Sequence, residues 1–234
     1  MITLLFDLGG IKMEKSIATI YTLAVGMPKE MDYSKGRSMI TGIEKRKVHE
    51  VYLATRGFEG DDVADKKHHG GPDRAVCLYP AEHYGQWEKE LGKALPTAAF
   101  GENLTVTNML EADVCIGDIY RIGDAVIQIT QGRIPCSTID KYTKADTLLK
   151  RLIETGYTGF LARVLSEGTI RADSKIELVE RHPARISVLH CNEVYFKNNN
   201  ALAMKRIHAV DALAMDWKLK LEKRIQLLES RVEK

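Results

Sequence analysis

Three short runs carry side chains able to do chemistry. The densest is Asp65-Lys66-Lys67-His68-His69-Gly70-Gly71-Pro72-Asp73-Arg74, which sets two imidazoles, three cations and two carboxylates around a Gly-Gly pair. Lysine, histidine and arginine suit an anionic group. Gly-Gly lets the backbone approach a ligand closely or take a positive φ. The same composition also describes a solvated turn, and adjacent histidines are weak evidence for a metal because neighbouring side chains diverge. The second run, Phe100-Gly101-Glu102-Asn103-Leu104, offers a carboxylate and an amide at a turn entering a strand. The third is Gln131-Gly132-Arg133-Ile134-Pro135-Cys136. Here Gly132 allows a sharp bend and Pro135 fixes the backbone before the cysteine. Arg133 lies close enough in sequence to favour the thiolate, the form that attacks or binds metal. The competing reading is a buried structural cysteine.

These runs must be held by elements that the patterning outlines. Ile17–Val25, Val48–Leu53, Ala75–Tyr79, Asn103–Val106 and Ser174–Val179 read as short strands. Asp118–Ile122 and Ala125–Thr130 flank Gly123-Asp124, a hairpin signal, and the third run follows directly. Helical spacing marks Pro80–Leu91 and Asp146–Thr155. Many short strands with a few inserted helices predict a mixed, mainly β fold of the barrel type rather than a parallel α/β sheet. After Arg185 the pattern turns helical. Ser187 is expected to cap one helix, Asn198-Asn199-Asn200 to break it, and a short helix with Leu202, Lys205 and Arg206 to follow. Asp211 is expected to cap a third helix carrying Trp217, Leu221, Ile225 and Leu228. The predicted division is a leader at 1–16, a β-barrel domain at 17–185 and a three-helix unit at 186–234. The apolar stripes of that unit call for packing on the barrel or on a second chain, which leaves a homodimer open.

The bulk properties exclude several classes. The 234 residues carry Lys+Arg 34 against Asp+Glu 32, and a net charge of +2 does not point to nucleic acid as the main partner. No run approaches the ~18 apolar residues of a membrane span, and the apolar start at Met1–Phe6 stops at Asp7 without the form of a signal peptide. Met13 is a candidate natural start, with residues 1–12 an added leader. Cys77, Cys115, Cys136 and Cys191 form no C-x-x-C pair and match no zinc spacing. Free thiols and a cytoplasmic location follow as the expectation, with Cys77, Cys115 and Cys191 read as packing residues. Nucleotide-loop, zincin and serine-hydrolase motifs are missing from the sequence.

Taken in order, Lys67–Val76, Tyr79–Tyr84, Phe100–Thr105, Cys115–Asp118, Gln131–Cys136 and Thr158–Leu165 with Gly168–Ile170 resemble the MOSC domain. Within that family the chain looks like the YiiM branch, which carries a three-helix domain after the MOSC domain. The resemblance implies a MOSC-type β-barrel and a molybdenum cofactor of the molybdopterin type, with Cys136 as the protein ligand to molybdenum. It also implies reduction of N-hydroxylated or related N-oxygenated compounds, with electrons from a separate redox partner protein. On this reading His68, His69, Arg74 and Arg133 neutralise the cofactor phosphate and orient the pterin, while Gln131 lies in the same motif. Glu102 and Asn103 would bond polar edges of cofactor or substrate, and Ser38 and Thr41 are further candidates for the phosphate end. The sequence departs from the family at Gly132, where a proline is usual. Two alternatives stand beside the reductase: a carrier that holds sulfur or cofactor on Cys136, and a thiol hydrolase that pairs Cys136 with a histidine.

Overall fold

The computed structural model describes residues 17–232; the expected leader and the Met13 start lie outside them. The chain opens with β1 (Thr19–Val25), a hairpin of β2 (Lys29–Ser34) and β3 (Arg37–Thr41), and the short strands β4 (Arg46–Lys47), β5 (Glu50–Ala54) and β6 (Gly57–Phe58). A one-turn helix α1 (Lys66–His69) and a tight turn at Pro72–Arg74 lead into β7 (Val76–Pro80), α2 (Glu82–Leu91) and β8 (Leu104–Thr107). The hairpin of β9 (Ile119–Ile122) and β10 (Ala125–Gly132) precedes α3 (Thr138–Thr143) and α4 (Leu148–Thr155). Then come β11 (Phe160–Ser166), β12 (Gly168–Arg171), β13 (Ile176–Glu180), α5 (Val188–Lys197), α6 (Ala201–His208) and α7 (Met215–Val232).

Eight strands form one curled sheet in the order β13-β9-β10-β11-β7-β8-β1-β4. Its pairs are antiparallel except β7–β8, which run parallel because α2 carries the chain across between them. A bridge between Thr19 and Lys175 ties β1 to the residue before β13, so the sheet closes on itself at that point. This is the half-barrel form of the mainly β fold expected from the strand pattern. The β9–β10 hairpin turns on Gly123, whose φ of 58° lies in the region glycine occupies readily.

β10 shows why the site sits where it does. Ala125, Ile127 and Ile129 alternate inward, as a strand with one buried face requires. The pairing with β11 then slips: Ile129 faces Ala162 but Gln131 faces Leu161, leaving Thr130 as a bulge. A bulge re-aims the side chains that follow, and from here Thr130, Gln131 and Gly132 are all buried. The core has two parts. One runs from Leu23, Leu78, Ile127 and Phe160 in the sheet into Val194, Ile207, Trp217 and Leu221 of the last three helices. The other gathers Tyr79, Trp87 and Phe100 with Ile139 and Leu152 of α3 and α4 and Met31 of the hairpin.

Some elements differ from expectation. Pro80 ends β7 instead of opening the helix, which starts at Glu82. Asp211 does not cap α7: the helix starts at Met215, and the Asp211 carboxylate accepts from Ala212 N and pairs with His182 at 3.0 Å. Ser187 caps α5 as expected, accepting from His190 N, and Asn200 caps α6. Among the described residues no helix is long and apolar enough to cross a membrane.

Candidate functional site

Cys136 stands on the loop that joins β10 to α3. The loop is anchored where Arg133 N donates to Gly159 O (3.0 Å) and Ile139 N to Cys136 O (3.1 Å). The thiol is half-buried. Burial alone would push its pKa up. Hydrogen bonding by the His69 imidazole, the Arg133 charge, and the Thr138 hydroxyl and backbone N–H together outweigh that and bring it down to about 6. At neutral pH such a group is mostly thiolate. The other cysteines go the opposite way: burial pushes Cys77 up to about 11 and raises Cys191 and Cys115. They are packing thiols, as the sequence reading has them.

The strand and loop that lead to the cysteine hold two buried polar atoms that no group among the described residues satisfies: Gln131 Oε1 and Arg133 Nη1, and the Arg133 charge acts on the Cys136 thiol. An orphaned buried polar atom costs about 1–3 kcal/mol, and more for a charged group. A guanidinium nitrogen without an acceptor and an amide oxygen without a donor, in the same short run as a thiolate, fit an oxyanionic ligand that also presents N–H groups. The pterin and phosphate of a molybdenum cofactor have both, and a thiolate suits its metal. The residues present therefore fit the group.

Of the residues singled out in the sequence, His69 and Arg133 act on Cys136, while Gln131 lies buried on β10 with its amide oxygen unsatisfied. The others are engaged elsewhere. His68 is exposed, with Nδ1 at 2.7 Å from Asp65 Oδ2. Arg74 donates to the carbonyls of His68 (2.8 Å) and Gly70 (3.4 Å) and pairs with Asp216 at 2.6 Å. Glu102 is wholly buried and accepts from Tyr84 Oη (2.5 Å), Thr105 Oγ1 (2.9 Å) and Phe100 N (3.1 Å). Asn103 accepts from Cys77 N (3.2 Å) and donates to Asp61 Oδ2 (2.9 Å). These last two staple strands beneath the site. Ser38 and Thr41 lie on β3, where Ser38 Oγ donates to Glu30 (2.5 Å) and Thr41 Oγ1 accepts from Ile43 N (3.2 Å).

Gly132 does not make the bend expected of it. It is the last residue of β10, paired with Phe160, and its φ is not positive. Its lack of a side chain matters for another reason: a Cβ there would lie 1.9 Å from Asn192 Oδ1 of α5. Asn192 fills that space and donates to Gly156 O (2.8 Å) and Thr158 Oγ1 (3.0 Å).

The sequence reading missed two participants and one buried ion pair of the frame. Thr138 bonds the sulfur, and its signal was the Ser137-Thr138 pair that opens α3. Lys45, buried and ion-paired with Asp61, sits inside Lys45-Arg46-Lys47, a run that reads as solvated. Glu111, buried, accepts from Gly159 N (2.8 Å) and bonds His83 Nε2 (2.7 Å), so it braces the segment to which Arg133 N is tied. Its sequence context, Leu110-Glu111-Ala112, carries no signal.

Comparisons with known proteins agree with this architecture. The MOSC domain model matches residues 65–177. The Bacillus subtilis (strain 168) protein YflK is 41% identical over 214 residues, which is 91% of this chain and 96% of that one. A Gibberella moniliformis protein named "Reductase" is 38% identical over 65% of this chain, which corresponds to 28% of that longer protein. The crystal structure of YiiM from Geobacillus stearothermophilus superposes with a TM-score of 0.76 at 36% identity, covering 89% of this chain and 99% of that one. With the curled sheet, the helical tail and the cysteine loop in place, the chain belongs to the MOSC family, among its YiiM-like members.

Proposed function

We propose that this chain is a molybdenum-cofactor-dependent reductase of N-hydroxylated compounds, such as N-hydroxylated purines, supplied with electrons by a separate redox partner protein. The observation that carries the reading is the Cys136 thiolate under the charge of Arg133, whose buried Nη1 lacks an acceptor, at the end of a strand in which Gln131 Oε1 lacks a donor. Family membership supports a cofactor of this kind, and a relative named a reductase supports redox chemistry. When bound, the cofactor would supply the two-electron reduction that cleaves the N–O bond.

The chain's own residues have distinct tasks. Cys136 would offer a deprotonated sulfur to the metal, and Thr138 holds that sulfur through two donors. Arg133 would neutralise the cofactor's anionic charge, and Gln131 would offer its unsatisfied amide oxygen to a donor on the same group. His69 is exposed and in contact with the sulfur, so it meets both solvent and site. Cleaving an N–O bond requires a proton so that oxygen leaves as water, and His69 is the side chain placed to hold one.

The test is Cys136→Ser in a host able to make the cofactor. Elemental analysis is expected to find molybdenum in the parent and little in the variant, and reduction of N-hydroxylated purines should be lost. Full metal retention with unchanged reduction would refute the assignment. The Cys136–His69 contact is also what a thiol hydrolase requires. That second reading predicts an active metal-free protein inactivated by iodoacetamide, so it and the reductase diverge in the same preparation. A sulfur carrier would instead show persulfide on Cys136 without turnover.

A further inference from the structure

The first turns of α7 take no part in the chemistry above, yet they border the candidate site. Met215 N donates to Asp73 Oδ2 (3.2 Å), Ala214 N to Thr130 O (3.0 Å) and Thr130 Oγ1 to Asp73 O (2.7 Å). Thr130 is the residue before the run from Gln131 to Cys136. At the same joint Arg74 donates to the carbonyls of His68 (2.8 Å) and Gly70 (3.4 Å) in and after α1, and to Asp216 Oδ2 (2.6 Å) of α7. That ion pair shows which side of α7 lies next to α1. Lys220, Lys223 and Leu227 follow Asp216 on this side at i+4, i+7 and i+11, with Leu219 beside them. The stripe is about 16 Å long at 1.5 Å per residue. It is open to solvent: Leu219 is 50% and Leu227 53% exposed, and Lys223 is exposed too. Trp217, Leu221 and Ile225 take the other side of the helix into the core.

The charge of this face is one-sided. Arg74 and Lys220 share the single carboxylate of Asp216, so the three keep one positive charge in excess. On α1, Lys66 is paired with Asp62 and His68 with Asp65, but Lys67 has no ion-pair partner among the described residues, and neither has Lys223. Glu222 is turned about 120° round the helix from the stripe. A second copy docked here across a two-fold axis would bring the same lysines to both sides of the contact. Two half-exposed leucines also offer little apolar area for a lasting dimer. Transient electron-transfer pairs use contacts of this kind, burying less than about 1,200 Å².

We propose that α1 and this stripe of α7 form the docking surface for a small acidic electron-carrier protein, with Leu219 and Leu227 at its centre and Lys67, Lys220 and Lys223 around them. The inference rests on the reductase reading and names where its electrons arrive. Converting an N-hydroxylamino group to an amino group breaks one N–O bond, takes up two electrons and two protons, and releases water. The carrier supplies the electrons and is itself oxidised, while the protons come from solvent. Lysines facing acidic groups steer the carrier to the edge of the site, an attraction that salt weakens.

The experiment titrates the full chain with a plant-type ferredoxin, an acidic [2Fe–2S] carrier, by calorimetry at low salt. The parent is expected to bind, and to bind more weakly as the Debye length falls from about 10 Å at 0.1 M salt to about 3 Å at 1 M. Lys67→Glu with Lys223→Glu should raise Kd about tenfold or more at low salt. Leu219→Ser with Leu227→Ser should weaken binding at every salt concentration. Lys35→Glu with Lys150→Glu makes the same charge change on the β2–β3 turn and on α4, and should leave Kd within about twofold because those charges lie outside the contact. No binding by the parent, or equal weakening by the two charge-reversed pairs, overturns the proposal. A parent that sediments as a dimer and is split by the leucine variant gives the stripe to a second copy and overturns it as well. Reduction of an N-hydroxylated purine with dithionite as donor, by protein made in a host able to supply the cofactor, is run alongside and needs no docking. Absence of that turnover in the parent is failure of the reductase reading and takes the proposal with it. Turnover with dithionite but no ferredoxin binding is failure of the docking surface alone.

Discussion

At the scale of single residues, the behaviour of Cys136 is a balance of burial against donors. Burial raises the pKa of every cysteine in the chain that shows a shift, and only Cys136 gathers enough positive charge and hydrogen bonding to end low. This has a consequence for stability. A group ordinarily near 9 and held at about 6 is deprotonated in the folded state while the unfolded chain still binds its proton. Between those values the unfolded state carries more protons, so stability rises with pH. The contribution is fully present above about 9 and is lost as pH falls through about 6. Urea unfolding of Cys136→Ala at several pH values should lack that slope relative to the parent; parallel curves would show that the thiol is not held low. Arg133 was readable as a partner because it lies three positions from the cysteine. His69 reads in the sequence as a cofactor residue, but nothing there joins it to Cys136, because the two are 67 positions apart and only the folded chain lets the imidazole act on the thiol. Glu102 and Asn103 illustrate the reverse. Their types promise hydrogen bonds, and they make them, but burial turns those bonds inward to Tyr84, Thr105 and Asp61.

At the scale of elements, the bulge at Thr130 and the fit of Gly132 against Asn192 join the end of β10 to α5. Gly132→Ala forces a methyl into an occupied space and should cost about 1–3 kcal/mol, as overpacking does. Adding Asn192→Ala should return part of that loss, giving a coupling energy in a double-mutant cycle. Simple additivity would mean that the two positions do not share the space. The same contact gives a physical reason for a glycine where the family usually has proline: a ring at 132 would meet the Asn192 amide. Regular patterns were legible at this scale, including the β9–β10 hairpin and the Ser187 cap. The hairpin of β2 and β3 was not, because its residues are mostly exposed and polar and Met31 is its buried hydrophobic anchor. Nor was α3, whose six residues are too few for a periodic signal.

At the scale of the whole molecule, one apolar cluster runs from the half-barrel into α5, α6 and α7, with Trp217 fully buried and stacked on Tyr195 at 4.8 Å. Trp217→Ala should cost about 3–5 kcal/mol and lower the unfolding midpoint accordingly. Trp87 lies in the second cluster, so the two tryptophans report on different parts of the core. If the shared core makes unfolding cooperative, Trp87→Phe and Trp217→Phe proteins should give fluorescence transitions coincident with circular dichroism. A Trp217 signal lost at clearly lower urea would show the tail melting by itself. By itself the sequence determined the mainly β character, the helical tail and the chemical identity of the three runs, because periodicity, turn residues and side-chain type are local properties. Only the tertiary structure decided which of those residues share a site. Sheet order and burial bring His69 to Cys136 and orphan Arg133 Nη1 and Gln131 Oε1, while Arg74, Glu102 and Asn103 are spent on holding the frame.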